Sequence, residues 1–142
     1  MSLKHNTEAN FGWPVRVYWE DTDAGGVVFY ANYLKFFERS RTEWLRAKGV
    51  NQQALRETSG GMFVVAEAQV RFLQSARLDD ELLLTTSLLE TGRASLTIHQ
   101  QALLCSSTAP VLLCEATIRV GWVKADSLKP ARMPSLILNA LT

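Results

Sequence analysis

Two acids spaced two residues apart, Asp21 and Asp23, are followed at once by Gly25 and Gly26. They open the segment 20–46 (EDTDAGGVVFYANYLKFFERSRTEWLR), in which carboxylates leave a strand just before a helix begins. The first turn of a helix presents unpaired backbone N–H groups and a partial positive charge. A carboxylate placed there works beside an oxyanion site, the combination that acyl transfer needs. The same residues also suit a plain turn, and spacing alone leaves both readings open. A calcium loop would want a polar ligand at Gly25 and a glutamate at Asn32, so that match fails twice. An aspartyl-phosphate phosphatase shares the Asp-x-Asp, with Asp79 and Asp80 as its downstream acids, but requires strands and helices alternating around a parallel sheet.

Other chemistry is poorly supplied. His5 stands in a polar N-terminal run and His99 within an alternating strand, and nothing points to partners for either in a nucleophile triad. Neither a Gly-x-Ser-x-Gly elbow nor a phosphate loop occurs, and two separated histidines do not make a zinc site. Cys105 and Cys114 flank a Ser/Thr/Pro turn that could bring them face to face across a hairpin. The expected state is two free, half-buried thiols.

The elements that must position the acids follow from patterning. With 142 residues, 47% of them apolar and 20% charged, the chain suits one domain with a core of its own. A net charge of +1 argues against nucleic acid as the main partner, and no apolar stretch reaches the length of a membrane span. The polar start MSLKHNTEAN lacks a secretory leader's apolar centre, so a cytoplasmic location is expected. Residues 1–11 read as a loose arm and 12–142 as the domain. Val15, Val17 and Trp19 alternate with polar neighbours as a first strand does, and the chain bends at Asp21 to Gly26. A long helix is expected over 31–48, with Tyr33, Leu34, Phe37, Trp44 and Leu45 on its apolar side and Gly49 as its stop, then a short helical turn over 51–58. Strands follow at 62–75, 80–90, 94–106 and 111–122, with Gln100 the one polar exception on an inward face. The turns at Asp79–Asp80, Thr91–Gly92 and 107–110 are short enough for hairpins throughout. The class is α+β.

The run 18–41, with Asp21, Asp23, Gly26, Val27, Tyr33, Glu38 and Arg41, resembles the 4-hydroxybenzoyl-CoA thioesterase family of hot-dog-fold proteins, nearest its Tol-Pal-associated acyl-CoA thioesterase branch. The likeness extends through ARLDD at 76–80 and LKPARMP at 128–134. It implies a long helix wrapped by a curved five-stranded antiparallel sheet, and subunits joined edge to edge as a homodimer or homotetramer with sites at the interface. It also implies that Asp23 is the catalytic carboxylate, acting on acyl-CoA or acyl-carrier-protein thioesters without metal or organic cofactor. The Tol-Pal-associated branch usually carries His where this chain has Tyr30, whereas the 4-hydroxybenzoyl-CoA branch has Tyr; a mechanism needing His there is excluded.

The chemistry fits this inventory. A thiol leaving group with a pKa of about 8.5 departs near neutral pH without a strong general acid. Attack and charge stabilisation are then expected of Asp23 and of backbone N–H groups near Gly26 and Tyr30, with Gly26, Val27 and Phe29 against the substrate. Asp23 could serve as nucleophile or as base. Glu38 and Arg41, one helical turn apart, are expected to form a structural salt bridge. The reading from another class is a noncatalytic acyl-binding or scaffold protein linked to envelope or lipid-synthesis proteins.

Overall fold

The computed structural model describes residues 11–106 and 108–142, so His5 and all of the expected arm except Phe11 lie outside the described residues. Phe11 itself opens β1 (Phe11–Arg16). The remaining elements are α1 (Asn32–Ala47), α2 (Gln52–Ser59), β2 (Gly61–Phe72), β3 (Glu81–Thr91), β4 (Ser95–Leu104), β5 (Val111–Lys124) and α3 (Ser135–Leu141). The five strands form one antiparallel sheet in the order β1-β3-β4-β5-β2. Bulges after Val65 and Leu88 add twist and curve it, as expected of a sheet that wraps a helix.

That order corrects the expectation of consecutive hairpins. β3, β4 and β5 do form a meander, but β2 pairs with β5, with Gly61 opposite Lys124 and Phe72 opposite Cys114. The segment 73–80 is therefore a crossover from one edge of the sheet to β3, and Asp79–Asp80 is its last bend. A strand's own periodicity says which face is buried and nothing about its neighbour.

The helix α1 is held by its buried face: Tyr33, Phe36, Phe37, Ser40, Trp44 and Leu45 recur every three to four residues and pack chiefly on β3 and β1. Leu34, expected inside, is 43% exposed, and Phe36 takes the inward position. Its end is a Schellman motif. Gly49, at φ +84°, donates to Arg46 O, and Val50 N–H donates to Leu45 O at 2.8 Å. On the facing strands Gln100 is wholly buried and fully bonded, donating to Phe37 O and Thr86 Oγ1, both at 2.9 Å.

The first strand ends earlier than its alternation suggests. Asp21 Oδ2 accepts the Tyr18 N–H at 2.8 Å, the chain turns through a short 3-10 segment (Trp19–Asp21), and Trp19 is left 76% exposed. The thiols are free as expected, but neither is half-buried. Cys105 is exposed, Cys114 is buried opposite Ala102, and the two are unpaired. Burial pushes the Cys114 thiol up to about 12. A thiol-reactive dye at pH 8 is accordingly expected to label one cysteine per native chain, Cys105, and both after denaturation; two rapid labels on native protein would contradict the packing.

Candidate active site

Residues 22–28 form a small hairpin between the 3-10 turn and α1. Thr22 bridges Val28, Asp23 N–H donates to Val27 O at 2.9 Å, and Gly26 N–H returns to Asp23 O at 3.0 Å. The two glycines answer different needs. Gly26 sits at φ +79°, which L side chains adopt only with strain. Gly25 N–H donates to Asp23 Oδ1 at 2.9 Å, and a Cβ there would lie 3.3 Å from that oxygen. One carboxylate oxygen of Asp23 is thus pinned by the backbone. The other has no protein partner among the described residues, and the side chain is exposed.

Asp21 is the structural acid of the pair. It is 7% exposed, its side chain holds Tyr18 N–H, and its carbonyl accepts from Asn32 Nδ2 at 2.8 Å and from Phe29 N–H at 3.1 Å. Those bonds tie the hairpin to the first residue of α1. Between them, at 30–31, the N–H groups of Tyr30 and Ala31 have no acceptor among the described residues. The Gly26 N–H, by contrast, is taken up in closing the turn on Asp23 O. Of the expected substrate contacts, Gly26 and Val27 are half-buried within the hairpin and Phe29 is 46% exposed.

Aromatic rings wall the same end of the helix. Tyr30 stacks obliquely on Phe29 with centroids 4.8 Å apart and meets Phe72 edge-on at 5.7 Å, while Tyr33 lies 5.9 Å from Phe72. Tyr33 also does something that a helical stripe does not reveal: its hydroxyl accepts the buried Ala76 N–H at 3.0 Å. Ala76 O in turn takes Val28 N–H at 2.9 Å, so helix, crossover and hairpin lock together through one phenol. Burial raises the Tyr33 pKa, which keeps that hydroxyl neutral. Tyr33→Phe should strand the Ala76 N–H and lower stability by about 1–3 kcal/mol, read from denaturant unfolding.

The expected Glu38–Arg41 salt bridge does not form. Glu38 Oε2 accepts from Thr42 Oγ1 at 2.6 Å, and Arg41 Nη1 donates across to Gln100 Oε1 at 3.0 Å. Both residues line a cavity of about 230 Å³ farther along α1, separate from the hairpin.

Comparison with known proteins follows the same lines. The thioesterase-like superfamily pattern matches residues 17–141. An acyl-CoA thioesterase, YbgC, of Haemophilus influenzae is 43% identical over 130 residues, covering 92% of this chain and 93% of that protein. A probable thioesterase from Bartonella henselae superposes with a TM-score of 0.80 at 32% identity, over 89% of this chain and all of that one. A 4-hydroxybenzoyl-CoA thioesterase bound to 4-hydroxybenzoyl-CoA gives a TM-score of 0.89 at 16% identity, over 94% and 99% of the two chains, a likeness of fold.

Proposed function

The chain belongs to the thioesterase-like superfamily and is an acyl-CoA thioester hydrolase, and from that premise we propose that Asp23 is its catalytic carboxylate. The observation that carries this reading is the asymmetry of the Asp23 side chain: Oδ1 is oriented by Gly25 N–H, and the second oxygen is left for the substrate. An acyl-CoA whose carbonyl oxygen rests on the Tyr30 N–H at the mouth of α1 would present its carbonyl carbon to that oxygen. Asp23 then attacks directly, expelling the CoA thiolate and leaving an acyl anhydride that water cleaves to restore the carboxylate, or it draws the proton from a water that attacks. The departing thiolate needs little acid assistance. No histidine is required at Tyr30 for either course. The test is a thiol-trapping assay over a panel of acyl-CoAs differing in chain length and aromaticity. Thiol release above background supports the reading, and no release from any member would remove it. An acyl-carrier-protein thioester contains the same bond and belongs in that panel.

The second part of the proposal is a homodimer. Among the described residues β2 has a strand on one side only, leaving a long edge on which Val65 and Phe72 are about half-exposed. A twofold axis pairs such an edge antiparallel with itself, which sets the Phe72 end of one subunit, beside its own Asp23 hairpin, against the Phe63 end of the other. Sedimentation at assay concentration should show a dimer or a dimer of dimers, whereas a fully active monomer would overturn a shared site. The unpaired thiols accord with a cytoplasmic home.

A further inference from the structure

The cavity beneath the second half of α1 is walled largely by apolar side chains, Trp44, Phe63, Leu96, Ile98 and Val120 among them, with Thr42 and Gln52 as neutral polar lining. Charge enters it from α1 through two residues, Glu38 and Arg41, which differ in their settings. Glu38 is exposed at the helix surface and engaged by Thr42. Arg41 is half-buried. Among the described residues its guanidinium has one hydrogen bond, to Gln100, and no carboxylate at ion-pair distance.

The surroundings of Gln100 fix where that guanidinium points. Both donors of the Gln100 amide are taken, by Phe37 O and Thr86 Oγ1, and among the described residues its oxygen accepts from Arg41 alone. Thr86 Oγ1 lies 2.8 Å from Ser40 Oγ, and Ser40 donates to Leu84 O at 3.1 Å, which completes a network of wholly buried groups. A guanidinium has five donors, and a network that uses one of them to aim it over apolar walls leaves others for a visitor. Burial lowers the Arg41 pKa more than the charge of Glu38 raises it, so the cation is under-compensated. The planar fork of arginine matches a carboxylate with two parallel hydrogen bonds.

We propose that this cavity binds a short apolar chain ending in a carboxylate, with the carboxylate on Arg41 and the chain among Trp44, Leu96 and Ile98. Two sources share that chemistry: the free acid that thioester hydrolysis releases, and an acyl group carrying a second carboxylate at its far end. The binding claim stands on the cavity alone and does not depend on the role of Asp23.

Calorimetric titration of the wild-type protein with sodium hexanoate, alongside hexan-1-ol, tests it. Hexanoate is expected to bind at least about tenfold more tightly than the alcohol, as a charge-assisted pair contributes. Added salt and Arg41→Met should each reduce that advantage, and Arg41→Lys should retain part of it. Equal binding of acid and alcohol, or hexanoate binding indifferent to Arg41→Met, would overturn the proposal. If Arg41→Met does not fold, the chain-matched comparison on wild-type protein still decides. The ratio of adipoyl-CoA to hexanoyl-CoA turnover separates the sources. A ratio that falls with Arg41→Met assigns the carboxylate to the substrate, and an unchanged ratio with hexanoate binding lost assigns it to the free acid.

Discussion

Asp23→Asn is expected to lower thioester hydrolysis by about 10²–10⁴-fold with no change in the unfolding transition. The substitution is clean because the amide oxygen can still accept the Gly25 N–H, so the hairpin keeps its shape. What is lost is the unpartnered oxygen, replaced by an NH₂ that neither attacks a carbonyl nor takes a proton from water. Asp21→Asn is the control. An amide oxygen there can still hold Tyr18 N–H, and the residue is buried away from solvent, so activity should fall by less than about tenfold. Thiol-trapping rates for both variants at saturating acyl-CoA, with denaturant curves alongside, make the comparison. Wild-type turnover by Asp23→Asn would move the chemistry elsewhere in the molecule.

The largest expected loss of stability follows from truncating the centre of α1. Phe37 is fully buried between the helix and the sheet, and Phe37→Ala should cost about 3–5 kcal/mol, lost burial and residual cavity together. A domain of this kind has roughly 5–15 kcal/mol in all, so the variant should unfold at a markedly lower denaturant midpoint with a similar slope. A shift of less than about 1 kcal/mol would mean that the helix is not seated as described.

Periodicity made the local elements legible. Tyr33, Phe37 and Trp44 at helical spacing located α1, and Leu96, Ile98 and Ala102 marked the inward face of β4. Asp23 stood out through its glycines, for a physical reason the hairpin supplies: one glycine for the left-handed turn, the other for room beside Oδ1. Interactions between elements were hidden. Nothing in 61–72 announces that it pairs with 111–124, because both neighbours of a strand impose the same alternation. Arg41 turns from Glu38 to Gln100, which only the packing of α1 on β4 makes available. The polar exception at Gln100 was visible as an anomaly, but its meaning required Thr86 and Ser40 from other elements. That the Gly26 N–H is spent on Asp23 O is not legible in the sequence, because a turn's internal bonds are not written in its composition.

The crossover also governs the order in which the molecule can assemble as it leaves the ribosome. β1 waits for β3 and β2 waits for β5, while α1 emerges ahead of every strand but β1. Through most of synthesis, then, Phe36, Phe37 and Trp44 have no sheet to cover them and β2 offers both of its edges. Such long-range closures make folding slow and leave the nascent chain open to sticking. The Asp23 hairpin is caught in the same delay, since Val28 docks on Ala76 only after the crossover has been made. Mutations that weaken the β2–β5 seam should therefore reduce the yield of soluble protein in cells before they alter the turnover of the molecules that do mature.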